Sequence, residues 1–156
     1  MPETSSAPIA VLLGTRPEAI KLAPVILGLR SSERAHLVVT TGQHAALAAD
    51  ALGMFGVIPD VDLGLMRDGQ TLDYLLAAAV EQVGALLEER RPAAVVVQGD
   101  TTSMLGSALA AFHHRIPVGH VEAGLRSGDP AHPFPEEMNR RAASTIARWQ
   151  DRKSVV

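Results

Sequence analysis

Residues 94–103, with the sequence AVVVQGDTTS, decide the fold. The three consecutive valines at 95–97 show no polar alternation, which is typical of a strand that helices cover on both faces of a parallel sheet. The strand runs into Gly99 and Asp100, and hydroxyl residues then open an alanine-rich segment typical of a capped helix. The sequence therefore predicts a carboxylate at the carboxyl end of a central strand. In open α/β sheets, the crevice beyond the strand ends is where ligands bind.

Strand–turn–helix units flank this segment on both sides. The pattern predicts strands over 9–13, 35–41 and 117–122, and helices from Thr15 to about 29, around 47–52, and over 71–90, 103–113 and from 135 onward. Thr15 and Glu18 match a capping box at the first helix. Strands that alternate with helices pair in parallel through right-handed crossovers. The predicted fold class is therefore α/β with a doubly wound parallel sheet.

The composition excludes several function classes. The 156 residues favour a single domain, and the net charge of -3 without a Lys or Arg run excludes nucleic acid and an anionic membrane as partners. The absence of cysteine excludes a disulfide framework and zinc–thiolate sites, and it fits a reducing compartment. No apolar run approaches the roughly 20 residues that span a bilayer, and residues 1–8 lack the features of a signal peptide. We expect a cytoplasmic protein without a membrane segment.

Polar residues gather at the predicted strand ends and helix starts. Because the carboxyl ends of parallel strands share one edge, we expect these residues to converge there: Thr15, Arg16, Gln43, His44, Asp100, Glu122, Glu136, Glu137, Asn139 and Arg140. Arg16 at a helix start suits a phosphate, since its guanidinium acts together with backbone N–H groups and the helix dipole. Crowded carboxylates raise the proton affinity of at least one of them, so this edge can hold an acid and a base.

Each of these features also has a purely structural interpretation. In this interpretation, Asp100 and the two threonines after it form a helix cap and have no other role. In the same interpretation, Glu136 and Glu137 are a favourable acidic first turn of a helix, and Arg140 and Arg141 are its solvated face. The spacing alone therefore leaves the chemistry open.

The sequence offers no pattern for a metal or a cofactor. His120 and Glu122 stand two residues apart, which is a poor metal-ligand pattern, and the helical His-Glu-x-x-His spacing is missing. Neither Gly-x-Gly-x-x-Gly nor a Gly-Lys-Ser/Thr loop occurs in the chain. We therefore expect no metal and no cofactor.

Five segments together resemble the non-hydrolysing UDP-N-acetylglucosamine 2-epimerases. They match in order and spacing through about residue 146: GTRPEAIK at 14–21, TGQH at 41–44, QGDTT at 98–102, HVEAGLRSGD at 120–129 and PFPEEMNR at 133–140. The resemblance implies the first, Rossmann-like half of a glycosyltransferase-B-type two-domain fold, with substrate bound between the domains. On this basis we expect a disordered leader at 1–8, the Rossmann-like amino-terminal domain at 9–147 and an atypical tail at 148–156, with the second domain absent.

The same resemblance implies a reaction that needs neither metal nor nicotinamide. The family interconverts UDP-N-acetylglucosamine (UDP-GlcNAc) and UDP-N-acetylmannosamine (UDP-ManNAc) by anti elimination of UDP and its readdition. The resemblance gives Asp100, Glu122 and Glu136 the acid, base and oxocarbenium-stabilising roles, with Arg140 in support. Which acid performs which step stays open.

Four further residues are similar to the family's substrate contacts. Arg16 and Lys21 resemble its contacts to the nucleotide diphosphate, and Gln43 and Gln70 resemble its contacts to a second, regulatory substrate molecule. A UDP-sugar is thus the expected small-molecule partner, and we expect the full-length protein to be a homodimer.

The tail at 148–156 does not continue the resemblance. We interpret the chain as a truncated amino-terminal fragment of an epimerase that is inactive alone, because one wall of the cleft cannot exclude water. The alternatives are a catalytically silent module that binds nucleotide sugars, or a hydrolysing epimerase or glycosyltransferase of the same fold.

Overall fold

A computed structural model describes residues 7–42 and 45–152 and contains six parallel strands with helices on both faces. The elements are β1 (Ile9–Leu13), α1 (Arg16–Ser31), β2 (His36–Thr40), α2 (Ala45–Gly53), β3 (Val61–Asp62), α3 (Leu72–Arg90), β4 (Ala94–Gln98), α4 (Thr102–His113), β5 (Val118–Val121), α5 (Glu136–Ile146) and β6 (Trp149–Gln150). The predicted doubly wound α/β class is confirmed, and the strand order β3-β2-β1-β4-β5-β6 is that of a Rossmann-like sheet.

The strand order creates a switch point between β1 and β4. The chain builds from β1 outward through β2 to β3, and then returns to the other side of β1 to add β4, β5 and β6. Val11 of β1 pairs with Val38 of β2 on one side and with Val96 of β4 on the other. Because the two crossovers leave in opposite directions, a crevice opens at the carboxyl ends of β1 and β4.

The valine run of β4 packs against both helical layers. Val95 and Val97 are buried in a core with Leu87 of α3 and other residues of α3, α4 and α5. Val96 faces the other way and packs with Ile26 of α1, in the core that α1 and α2 form against the sheet. The lack of polar alternation in this strand therefore follows from burial on both faces.

Hydroxyl caps begin the two helices nearest the crevice. The predicted capping box at α1 is confirmed: Thr15 Oγ1 accepts from the Glu18 amide at 3.5 Å, and the Glu18 carboxylate accepts from the Thr15 amide at 2.9 Å. Thr101 caps α4 by accepting from the Met104 amide at 3.1 Å. Both helices thus begin where polar side chains can reach the crevice.

Two features of the last two strands differ from the sequence predictions. The strand predicted over 117–122 ends at Val121, and Glu122 has φ 59°, so strand alternation does not determine where Glu122 lies. Trp149 and Gln150, which we had assigned to the tail, form β6 because they pair in parallel with Gly119 and His120. The sheet therefore extends beyond residue 147.

Part of the predicted leader, residues 1–6, lies outside the described residues. Pro8, which belongs to the same predicted leader, is held in place because its carbonyl accepts from the Ala93 amide at 2.9 Å, just before β4. Within residues 7–42 and 45–152, no helix is long and apolar enough to cross a membrane.

Candidate functional site

A cavity of about 430 Å³ lies at the switch point of the sheet. It is lined by the last residue of β4 and by residues that follow β1, β4 and β5: Thr15, Pro17, Glu18, Lys21, Gln98, Gly99, Asp100, Thr101, Glu122 and Leu125. Three of the predicted site residues, Lys21, Asp100 and Glu122, are therefore brought together here.

Asp100 is held from α5 and stands among other acids. Its carboxylate accepts from Arg140 Nη1 at 2.8 Å, and its backbone carbonyl accepts from Asn139 Nδ2 at 2.9 Å. Burial raises the pKa of Asp100; Arg140 opposes this, while the charges of Glu136 and Glu122 raise the pKa further. The other two predicted acids thus both act electrostatically on Asp100. A carboxyl group with a raised pKa is suited to carrying a proton near neutral pH.

Glu122 is fixed by partners from two other elements. Its Oε2 accepts from Lys21 Nζ of α1 at 2.5 Å and also from the side-chain amide of Gln98 at the end of β4. The Lys21 side chain is half-exposed and that of Glu122 less so, which leaves the pair open to the cavity. In this structure Lys21 therefore neutralises a carboxylate at the place where the resemblance puts a phosphate contact.

The fully buried acid of α5 is Glu137, the neighbour of the predicted Glu136. Glu137 accepts from Arg140 Nε at 2.6 Å, from Arg141 Nε at 2.8 Å and from the Ser127 amide at 3.1 Å. Burial raises the pKa of Glu137, but these hydrogen bonds outweigh it and lower the pKa to about 2. The solvated-face interpretation is wrong for Arg140, whose side chain is only 7% exposed.

Sequence reasoning placed Glu137 in the polar group but did not select it as a site residue. The signal that could have found it is its spacing, three and four residues before Arg140 and Arg141, which places all three on one helix face. Glu136 is half-buried at the first position of α5.

Glu18 is a second buried acid that we had assigned only to a helix cap. Its carboxylate accepts from the Gly14 amide, from the Thr15 amide at 2.9 Å and from the Thr101 hydroxyl at 2.8 Å. Burial raises the pKa of Glu18 despite these three hydrogen bonds. The acid therefore links the loop after β1 to the loop after β4.

The same contacts change the expectation for a phosphate site at the start of α1. The amides of Gly14 and Thr15, which the sequence offered to a phosphate together with Arg16, are already occupied by Glu18. Arg16 is exposed and is not among the residues that line the cavity. Gly14 is required here, because a Cβ on this residue would lie 2.5 Å from Thr41 Oγ1.

His120 supports the loop that carries Asp100. The ring is buried, its Nε2 lies 2.6 Å from the Gly99 carbonyl, and its Nδ1 has no hydrogen-bond partner among the described residues. Burial lowers the pKa of His120, so the ring is favoured in its neutral form, in which Nε2–H donates to Gly99. Gly99 has φ +78°, which fixes the turn from β4 into Asp100.

Gln70, one of the two glutamines assigned to a regulatory molecule, is not among the residues that line the cavity. Gln70 accepts from the Arg67 amide at 2.9 Å and its side-chain nitrogen lies 3.1 Å from Met66 Sδ, so it closes its own turn. Gln43 lies outside the described residues. Among residues 7–42 and 45–152, no group of three or more His, Asp or Glu side chains could hold a metal ion.

Comparisons with known proteins agree on one family. The family model described as UDP-N-acetylglucosamine 2-epimerase matches residues 28–151. The UDP-N-acetylglucosamine 2-epimerase of Yersinia pestis is 44% identical over 142 residues, which cover 90% of this chain and 38% of that protein. The enzyme of the same name from Bacillus subtilis is 44% identical over 140 residues, 89% of this chain and 37% of that protein.

A solved structure shows the same similarity in three dimensions. The UDP-GlcNAc 2-epimerase of Neisseria meningitidis, crystallised with UDP-GlcNAc bound, has a TM-score of 0.87 and 40% identity, covering 91% of this chain and 38% of that chain. The chain therefore spans less than two fifths of the length of the relatives it matches.

Proposed function

The chain belongs to the UDP-N-acetylglucosamine 2-epimerase family, and on this premise we propose that it carries the acid–base residues that interconvert UDP-GlcNAc and UDP-ManNAc. The observation that carries the proposal is the cavity at the switch point, where Asp100 and Glu122 stand together. Each of the two carboxylates has its own cation, Arg140 for Asp100 and Lys21 for Glu122.

The proposed reaction inverts C2 of the sugar by elimination and readdition. A carboxylate removes the proton from C2 while the bond between C1 and the phosphate oxygen breaks, so that a C1–C2 double bond forms and UDP leaves as an anion. A proton then returns to the opposite face of C2, and the UDP oxygen bonds again to C1. The reaction needs a base on one face, an acid on the other, and positive charge near the departing phosphate.

The environments of the acids support different roles for them. Asp100 has a raised pKa and a nearby Arg140, which favours a group that gains and releases a proton. Glu122 is held by Lys21 and Gln98, which orients its carboxylate in the cavity to accept a proton or to stabilise developing positive charge. We assign Glu136 to the same acid group because its charge acts on Asp100.

Lys21 and Arg16 are the proposed partners of the diphosphate. Lys21 lines the cavity and can exchange the Glu122 carboxylate for a phosphate oxygen. Arg16 is exposed at the first position of α1, near the positive end of its dipole. Glu18 occupies the adjacent amides, so the side chains would provide most of the contacts to the phosphate.

A chimera tests the proposal directly. This chain would replace the matched 38% of the Yersinia pestis relative, and UDP-ManNAc formed from UDP-GlcNAc would be measured by NMR. Glu122→Gln and Asp100→Asn should each lower turnover by at least about 100-fold. The matched control is Glu89→Gln, an exposed acid on α3 away from the cavity, which should leave turnover unchanged.

Product analysis separates the alternatives. UDP together with free N-acetylmannosamine would indicate a hydrolysing epimerase, and transfer of the sugar to an acceptor would indicate a glycosyltransferase. Binding of UDP by the chain without turnover in the chimera would leave a silent nucleotide-sugar-binding module. Wild-type turnover in Glu122→Gln would remove Glu122 from the mechanism.

We further propose a cytoplasmic homodimer for the whole protein, with this chain as the Rossmann-like half of a two-domain fold. The cysteine-free composition supports a reducing compartment. Exposed apolar side chains support self-association: Met54 is 76% exposed and Ile58 is 82% exposed. Sedimentation velocity of the whole protein tests the dimer. A mass that stays at that of one protomer at high concentration would contradict it.

A further inference from the structure

The carboxylate of Glu137 is fully buried, and both of its oxygens are occupied. Oε1 accepts from Arg141 Nε, and Oε2 accepts from Arg140 Nε and from the Ser127 amide. A buried carboxylate with three donors is fixed in position, because each displacement would leave a buried charge without a partner.

Arg140 connects the fixed carboxylate of Glu137 to the carboxylate of Asp100. Its Nε donates to Glu137 at 2.6 Å while its Nη1 donates to Asp100 at 2.8 Å. The guanidinium is planar and its donors have fixed relative directions, so anchoring Nε also fixes where Nη1 points. The Arg140 side chain is 7% exposed, which leaves it little room for another orientation.

The third donor extends the arrangement to the loop beside the cavity. Ser127 lies in the segment between β5 and α5, and this segment also carries Leu125, which lines the cavity. Arg126 fastens the segment independently by donating to the Ala123 carbonyl at 2.9 Å and to Ser144 Oγ of α5 at 2.9 Å. Glu137 therefore contacts both the cation that holds Asp100 and the loop that contributes Leu125 to the cavity.

We propose that Glu137 is a positioning residue for Asp100, which acts by holding the Arg140 guanidinium against the Asp100 carboxylate. Asp100 matters to catalysis only if the proposed function holds, but the position of Arg140 can be tested without turnover. Glu137 itself is buried behind Arg140 and is not among the residues that line the cavity.

A positioning role and a purely electrostatic role predict opposite changes at Asp100. If Glu137 acts only through its negative charge, neutralising it lowers the pKa of Asp100, since a like charge has been removed. If Glu137 positions Arg140, Glu137→Gln loosens the cation, because the amide nitrogen replaces one of two acceptor oxygens that both face donors; the pKa of Asp100 then rises. The charged and titratable groups that act on Asp100 or on which Asp100 acts are Arg140 and Glu136 of α5, Glu122, His120 and Glu18.

The experiment follows the titration of Asp100 by carboxyl carbon NMR in the full chain. Glu137→Gln should raise the pKa of Asp100 by about one unit, in the same direction as Arg140→Met. Glu136→Gln is the matched comparison, because it neutralises the preceding residue and should lower the pKa of Asp100. A fall or no change in folded Glu137→Gln would overturn the proposal, whether or not the chimera has epimerase activity.

A second measurement covers the case in which Glu137→Gln does not fold. In the wild-type chain, the Arg140 Nε–H should give a resolved, slowly exchanging NMR signal whose shift follows the titration of Asp100. Arg141→Gln, which removes only the half-exposed partner of Glu137, should leave that signal in place. An Arg140 signal that exchanges as fast as that of exposed Arg16, or that ignores Asp100, would refute the positioning role.

Discussion

Replacement of Glu18 with alanine tests the link between the loops after β1 and β4. The change removes the acceptor of two backbone amides, those of Gly14 and Thr15. Gly14 is buried, and a buried donor without a partner costs about 1–3 kcal/mol. Loss of the capping box at Thr15 adds about 1 kcal/mol. The Thr101 hydroxyl can turn to Ser103 Oγ, 3.2 Å away, so the loss of its hydrogen bond to Glu18 adds little.

The expected loss in the free energy of unfolding is therefore about 2–4 kcal/mol. Urea denaturation followed by far-ultraviolet circular dichroism measures it. Glu18→Gln is the matched control, because its amide oxygen can still accept from the two backbone amides, and it should cost less than about 1 kcal/mol. A loss below about 1 kcal/mol in Glu18→Ala, or equal losses in both variants, would refute the argument from hydrogen bonding.

The pH dependence of this loss has a defined sign. Burial raises the pKa of Glu18 above its ordinary value of 4.5, so the folded state binds the proton more tightly than the unfolded state. The stability that Glu18 contributes is then fully present below pH 4.5 and declines as the pH rises through the folded-state value. Glu18→Ala should consequently cost more at pH 5 than at pH 8. The reverse order would show that ionisation of Glu18 stabilises the fold.

Three further changes test the packing and the substrate side of the cavity. Ile26→Ala removes a fully buried side chain and should cost about 2–5 kcal/mol in the same denaturation assay, and a loss under about 1 kcal/mol would contradict the assigned core. Gly106→Ala brings a Cβ to 2.5 Å from that of Ala79 where α4 crosses α3, so it should cost about 1–3 kcal/mol, and Ala79→Gly in the same chain should restore part of the loss. Lys21→Met breaks a partly exposed ion pair with Glu122 and should change stability by less than about 1 kcal/mol. Its affinity for UDP, measured by titration calorimetry, should fall by about tenfold, and unchanged affinity would remove Lys21 from the phosphate site.

Local patterns predicted the elements because burial and capping act over a few residues. The valine run predicted β4 since both faces of that strand are covered, and Thr15 with Glu18 predicted the start of α1. The position of Asp100 follows from the same pattern, because a parallel strand delivers the residue after its end to one edge of the sheet. The topology then brought Lys21 and Glu122, which lie 101 positions apart in the sequence, to that same edge.

The sequence could not predict contacts that depend on how separate elements meet. Glu18 was recognised as a capping residue, but its hydrogen bond from Thr101 joins residues 83 positions apart, and local spacing gives no signal for it. Glu122 was expected as the last residue of a strand over 117–122, whereas it follows the strand and has a left-handed backbone conformation, with φ 59°. For Arg140, selected as a supporting site residue, a solvated-face interpretation stayed open, because its partners Asp100 and Glu137 meet it only in the folded chain.

The contacts around the cavity converge on the four residues that end β4 and begin α4. Gln98 donates to Glu122, the Gly99 carbonyl faces His120, Asp100 accepts from Arg140, and Thr101 donates to Glu18. Glu18 comes from α1 on one side of the switch point. The other partners come from β5, from the residue after it and from α5 on the other side. Residues 98–101 therefore join the two halves of the sheet at the place where the crossovers diverge. Any ligand that enters the cavity meets charges that are fixed from both halves of the sheet, and the proposed acid–base reaction depends on such preorganised charges.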